Sequence, residues 1–471
     1  MKNSDNARMS ERQRRELEET FCRHINQGQV RYLKAGHLDV IEERRKGIGF
    51  MDAASGRPMI DGFSSAGCFN VGRRNEEILE ALDQALTEFD LGDYGLMSRA
   101  KLALARKLTS IAPGDLTRVF FAAGGGDAVD GALKLARAAT GRRKILSTVK
   151  AYHGHTGFAL SANGKPHYRA YCEPLMPGFS FVPFNSMEAL CEQIDDDTAA
   201  VILEPVQGEA GIFAGTDEYL QELRFLCDDK GVLLIFDEIQ TGFGRTGRLF
   251  ACEHSGVVPD IMTVAKSLGG GLYPNAAVLY RDIPVLTDYL SRNPDFHESV
   301  AGGSDLGCAV SLKVIEYIEK AGLCGNAETQ GAVLKKALLD LKRENPNIIK
   351  DVRGLGLMVG IEYIHEFMGP MMSDALARHG VFAAYSGNAP QVMRFMAPIT
   401  INQEEMTRLI EAIRGAVGHM KKLLPLALPA AKLPFVLKAL NSDAVQTGLF
   451  GFFRKVEDFS ARLNPKSRRN A

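Results

Sequence analysis

The sequence predicts an α/β protein: a large, mostly parallel sheet covered by helices, with a smaller α+β part. Three observations predict it. The first is a set of continuous apolar runs that each end abruptly in polar residues: AAVIL (199–203) at Glu204-Pro205, GVLLIF (231–236) at Asp237-Glu238, and PDIMTVA (259–265) at Lys266. Short apolar runs bounded by turn residues are the pattern of strands buried on both faces. The second is RVFFAAGGGDAVDGALKLARAATG (118–141), which passes from a strand through glycines into an amphipathic helix. The third is DVRGLGLMVGIEYI (351–364), which reads as strands of a second, smaller unit.

Taken in order, the chain opens with charged, helix-forming residues at 10–26, an N-terminal helix lying on the body. GFMDAASGRPMIDGFSSAGCFNVG (49–72) has glycines between short strand-like pieces, a β meander leading towards a site. Residues 75–110 read as helical with a break at 91–95, where Tyr94 either points at substrate or is a partly buried loop residue. After the strand KILST (144–148) comes AYHGHTG (151–157). There Tyr152 could stack on a planar ligand or serve the core, and His153 and His155 lack a third metal ligand nearby. A polar, glycine-rich loop (297–307) precedes a helix-rich segment (307–344). The segment 394–420 ends in a helix with Asn402 as N-cap, Glu405 as its return partner and apolar residues at 406, 409, 410, 413, 417 and 420.

Composition narrows the class. The 471 residues, 45% hydrophobic, exceed one simple core and imply two or three subdomains. Fifty-six basic residues balance 57 acidic ones, which gives no reason to invoke nucleic acid. The eight cysteines are scattered without a CxxC pair, as in a reduced cytoplasmic protein, and no metal site is expected. The N-terminus lacks the apolar region of a secretory signal, and no apolar run is long enough to span a membrane.

In parallel sheets ligands bind at the carboxyl ends of the strands, so Asp237 and Lys266 face one crevice. Buried there, they either pair with each other or each meets a partner on a bound cofactor. Pyridoxal phosphate needs a lysine, a carboxylate at its ring nitrogen and a phosphate cradle. Gly124-Gly125-Gly126 before a helix offers the cradle, since glycines admit close approach and a helix N-terminus favours anions. The loop is neither a Walker A motif nor GxGxxG.

In order and spacing these motifs resemble the class III aminotransferases, pyridoxal-phosphate enzymes of the aspartate aminotransferase fold (fold type I). The resemblance covers about residues 49–420 and rests on FDEIQTGFGRTG, PDIMTVAKSLGGGLYPNAAVL, EPVQGEAGI and VRGLGLMVGIE. It implies that 1–75 contributes to a small domain, 76–330 forms the large cofactor domain and 331–424 the small α+β domain. Lys266 is then the Schiff-base lysine and acid-base group, Asp237 the partner of the pyridine nitrogen, and Gln240 the neighbour of the phenolic oxygen. Gly125 and Gly126 give backbone N–H bonds to the phosphate, and Tyr152 stacks on the ring. Glu209 and Arg394 form a carboxylate switch, Arg394 binding a substrate carboxylate or, in its absence, Glu209. The implied reaction is transamination between glutamate or 2-oxoglutarate and an ω-amine, aldehyde or ketone. Lyase, decarboxylase or mutase chemistry on the same cofactor, or a silent scaffold, are the rivals. The implied assembly is a homodimer with sites between subunits.

Three departures from the family pattern stand out. Glycines replace the usual Ser-Gly-Ser/Thr of the phosphate loop, and the partner-donated threonine falls on Val300, leaving Ser299 to substitute. The extension 425–471, with eight Lys or Arg against three Asp or Glu and apolar pieces at 433–440 and 448–459, lies beyond the resemblance. It is read either as a helix packing on its own body or as a docking surface for a partner, carrier or membrane. The docking reading suggests a long-chain or carrier-bound acceptor.

Overall fold

The computed structural model of the chain describes residues 8–35 and 38–431. The last helix, Gln403–Ala431, carries the chain to 431, so both readings of the apolar pieces at 433–440 and 448–459 lie outside the described residues.

Seven strands form the central sheet: β1 (Arg118–Ala122), β2 (Lys144–Thr148), β3 (Phe179–Val182), β4 (Thr198–Leu203), β5 (Leu233–Asp237), β6 (Ile261–Val264) and β7 (Ala276–Tyr280). Their order is β1-β7-β6-β5-β4-β2-β3. Only β7 runs antiparallel to its neighbours. Six carboxyl ends and the start of β7 therefore open on one edge. In β4, β5 and β6 every residue is buried, which is why their sequences show no alternation. Register brings the ends together: Phe236 lies beside Leu203 and Met262, so Glu204, Asp237 and Lys266 emerge within neighbouring strand spacings.

The glycine loop leads into the helix Gly125–Thr140. Its Val129, Ala132, Leu133 and Ala136 are fully buried in one cluster with Ile145, Ile202 and Ile235 of the sheet. Each such burial contributes roughly 1.5–3 kcal/mol for the larger side chains, which fixes the helix start at the sheet edge. The helix begins two residues before Asp127, the expected first residue, because both glycines take helical conformation.

A second sheet, antiparallel throughout, joins Ile349–Leu355, Met358–Tyr363, Val392–Phe395 and Ala384–Tyr385. A third is a meander of Glu42–Lys46, Gly49–Asp52 and Arg57–Asp61, with Val381–Phe382 added in parallel. The meander thus begins and ends earlier than the expected 49–72. Its first strand, EERRK, is mostly exposed and carries no apolar signal. Its last strand stops at Asp61, whose Oδ1 accepts from Phe63 N (3.1 Å) and Ser64 N (2.7 Å) and turns the chain. The N-terminal helix Glu11–Phe21 also runs further than expected, through a π turn at Cys22–Asn26 into Gln27–Ala35. The break between Glu76–Glu88 and Arg99–Ile111 falls where expected, but Tyr94 within it is exposed rather than partly buried.

Asn402 and Glu405 make both bonds of their capping box, Asn402 N donating to Glu405 Oε2 (3.0 Å) and Glu405 N to Asn402 Oδ1 (2.9 Å). The helix they start buries Met406, Leu409, Ile413, Val417 and Met420.

Candidate active site

A cavity of about 540 Å³ opens at the carboxyl edge of the central sheet. Its walls include Gly124–Gly126, Tyr152, Glu209, Asp237, Gln240 and Lys266, contributed by five separate loops. Ser299 is not among them. Its Oγ accepts from Gly302 N at 3.0 Å, and the adjoining Val300 is 61% exposed on the chain's own surface.

Asp237 and Lys266 share this crevice without pairing. The buried partner of Asp237 is His153, whose Nδ1 lies 2.8 Å from Asp237 Oδ2. The other oxygen, Oδ1, accepts from Ile239 N at 3.1 Å and Thr263 Oγ1 at 3.3 Å. His153 is held in turn by Asn163, whose Oδ1 accepts from its backbone N–H at 2.7 Å. Lys266 follows β6 with φ of 44°, a conformation that costs a non-glycine residue on the order of 1–3 kcal/mol and clusters at functional sites. Across the cavity Ser64, Ser65 and Ala66 repeat that conformation in sequence, before Cys68 and Phe69 enter the wall.

At the glycine loop, Gly124 is extended (φ −170°) and no side chain caps the helix that follows. The first N–H groups of Gly125–Thr140 are thus left for an anion. A side chain at Gly124 would meet nothing within 4 Å, whereas one at Gly126 would lie 2.9 Å from Thr156 Oγ1.

Glu204, at the end of β4, is buried and accepts from two loops, Tyr152 N on Oε1 (3.0 Å) and Gly208 N on Oε2 (2.9 Å). Burial pushes its carboxyl up to about 7, against the pull of His153. The Tyr152 ring stands edge-on to His155 and Tyr168, each centroid 5.5 Å away. Gln240 places an amide in the wall, and its Oε1 has no protein partner among the described residues.

Opposite the glycine loop, Glu209 Oε1 and Arg394 Nη1 are 2.5 Å apart with both side chains largely buried. Gly387 N donates to Glu209 Oε2 at 2.9 Å. Burial raises the Glu209 carboxyl, but Arg394 and the Gly387 N–H outweigh it and hold it below the usual carboxylate range.

The chain as a whole has known counterparts. The sequence pattern of the family described as aminotransferase class-III matches residues 32–417. The chain belongs to the class III aminotransferases. An uncharacterized aminotransferase of Archaeoglobus fulgidus is 39% identical over 402 residues, 85% of this chain and 94% of that relative. Among solved structures, a transaminase from the marine bacterium Virgibacillus superposes with a TM-score of 0.80 at 29% identity, covering 87% of this chain and all of that one. The ornithine aminotransferase of Toxoplasma gondii gives 0.79 at 27% identity, covering 87% and 96%. This class III aminotransferase therefore has the fold type I architecture, and its cofactor is pyridoxal phosphate.

Two groups escaped the sequence reading. His153 was weighed there only as a metal ligand, although a histidine in a loop after a buried strand also suits a buried carboxylate. Glu204 entered only as the residue that ends a strand, and its two loop contacts have no sequence signal.

Proposed function

We propose that this aminotransferase passes an amino group between the glutamate/2-oxoglutarate couple and an ω-amine, aldehyde or ketone, and that its chemistry takes place in the cavity around Lys266. When bound, pyridoxal phosphate supplies an aldehyde that takes up the amine and a ring that draws electrons from the substrate carbon. Lys266 Nζ would hold the cofactor between turnovers and carry the proton off and back onto substrate carbon. Asp237, braced by His153, would keep a proton on the ring nitrogen, and Gln240 would face the phenolic oxygen. The N–H groups of Gly125 and Gly126 would bind the phosphate, with Tyr152 against the ring.

The fit of these residues rests on four features of the site. A helix start lacks any side-chain cap, a glycine at its N-cap leaves open space, an amide oxygen in the wall is unpartnered, and a buried carboxylate lies in the same cavity as a lysine. The same reading makes the enzyme a homodimer in which Ser299 of the partner subunit reaches the phosphate.

The ion pair between Glu209 and Arg394 carries the choice of substrates. Breaking a buried pair costs about 3–5 kcal/mol when one charge is left alone, so Glu209 yields only when a substrate carboxylate replaces it. One cavity then serves glutamate and an amine without that carboxylate. The test is the visible spectrum of the holoenzyme. L-Glutamate should abolish the band of the bound cofactor and 2-oxoglutarate should restore it. A band indifferent to glutamate removes that couple, and ammonia released without a keto acid would mark a lyase.

A further inference from the structure

We propose that the backbone N–H of Gly387 is the second donor of the substrate-carboxylate site, so that an incoming carboxylate replaces that of Glu209 oxygen for oxygen. The inference rests on the switch reading above and assigns the site a partner that side chains alone do not supply. It begins from the way Glu209 is held. Its Oε1 faces Arg394 Nη1 at 2.5 Å, and its Oε2 accepts from Gly387 N at 2.9 Å. Each carboxylate oxygen has one donor, a side chain on the strand Val392–Phe395 and a backbone N–H on the loop that precedes it.

Gly387 sits on a strap, residues 386–391, between the strands Ala384–Tyr385 and Val392–Phe395 of the second sheet. The strap is tied down at three further points. Lys165 Nζ donates to Gly387 O at 2.9 Å, Asn388 Nδ2 donates to Lys150 O at 2.8 Å, and Asn388 N donates to Glu209 O at 3.1 Å. The Glu209 turn is fixed as well, because Gly208 N is bound by Glu204 and Gly211 O accepts from Arg353 Nε at 2.8 Å. With backbone pinned on both sides, the part free to move is the Glu209 side chain. When it swings away, Arg394 Nη1 and Gly387 N–H stay in place with the spacing of a carboxylate.

Two consequences follow for specificity. Departure of Glu209 takes the counter-ion from a buried guanidinium, whose Nη2 keeps a bond to Tyr385 O at 3.4 Å, and the acceptor from an amide, and a ligand restores both only by presenting two acceptor oxygens with a negative charge. A Cβ on Gly387 would meet only side-chain tips, Tyr168 Oη at 2.9 Å and Glu209 Oε2 at 3.2 Å, so a larger residue there displaces those tips towards the cavity.

Glutarate, which has the carboxylates of glutamate but no amine, tests the proposal by titration into the holoenzyme, followed by calorimetry. Gly387→Pro deletes the N–H, which makes no other hydrogen bond among the described residues, and Gly387→Ala, which adds the same Cβ beside Tyr168 but keeps the N–H, is its control. The expected result is glutarate binding in Gly387→Pro weakened roughly 10- to 100-fold relative to Gly387→Ala, the range for loss of a hydrogen bond to a charged group, with affinity for pyridoxal phosphate unchanged. Equal glutarate binding in Gly387→Ala and Gly387→Pro overturns the proposal and leaves the switch standing. Absence of glutarate binding in wild type overturns the switch reading and the proposal with it. Should Gly387→Pro not fold, Asn388→Ala decides, because it keeps both charge and N–H but removes the bond to the Lys150 carbonyl that holds the strap. A roughly threefold or greater loss of glutarate affinity supports the proposal, and an unchanged affinity overturns it.

Discussion

Glu204 is the buried acid of the site that ionises near neutrality, and its position gives that ionisation a consequence. It binds the Tyr152 loop with one oxygen and the Gly208 turn with the other, so its charge acts on both walls of the cavity. Its folded value of about 7 lies above the 4.5 of an exposed glutamate. The stability it contributes is thus complete below about pH 4.5 and is lost as pH rises through 7, a change on the order of 3 kcal/mol. Glu204→Gln should flatten that dependence, so that thermal melting temperature falls less between pH 5 and pH 8 than in wild type. Parallel curves for the two proteins would show that Glu204 titrates elsewhere. Sequence made Asp237 and Lys266 conspicuous because each ends a buried apolar run in a charge. It could not reveal that Asp237 pairs with His153, 84 residues away in the chain, since no local pattern relates a carboxylate that ends β5 to a histidine after β2.

At the scale of elements, the glycine loop shows which losses a backbone can repair. Three glycines leave the loop without a hydroxyl, yet the uncapped start of Gly125–Thr140 still presents N–H donors. The three positions are not equivalent. At Gly124 the backbone is extended and a side chain enters open space, while at Gly126 it meets Thr156 Oγ1 at 2.9 Å. Gly124→Ser should therefore tighten pyridoxal phosphate by roughly fivefold, about the effect of one added hydrogen bond, whereas Gly126→Ser should leave it unchanged or weaker. Dissociation constants of the cofactor, measured by absorbance at equilibrium, check both, and equal effects at the two positions would refute the asymmetry. The strands of the central sheet were legible because burial on both faces leaves continuous apolar runs. Glu42–Lys46 was not, because an exposed edge strand needs no apolar residue.

The whole molecule raises the question of what completes the phosphate site. The loop carrying Ser299 and Val300 does not reach the chain's own cavity, and Val300 is exposed. Leu86, Leu96, Met97 and Leu102 are exposed too, with Met97 bearing no cover at all. Apolar side chains concentrated in one short stretch mark a surface that another molecule covers. If that molecule is a second copy, the loop of one subunit meets the cavity of the other, and cofactor affinity becomes a property of the dimer. Binding to the assembled form then stabilises assembly by mass action. Pyridoxal phosphate should thus shift sedimentation towards dimer on dilution, and Val300→Thr, which supplies a hydroxyl, should tighten the cofactor several-fold in the dimer and have no effect in the monomer. Ser299→Ala should act in the opposite sense if Ser299 stands in for the missing threonine. A cofactor affinity that ignores both substitutions in the dimer would mean that each chain binds its phosphate with the backbone of Gly125 and Gly126 alone.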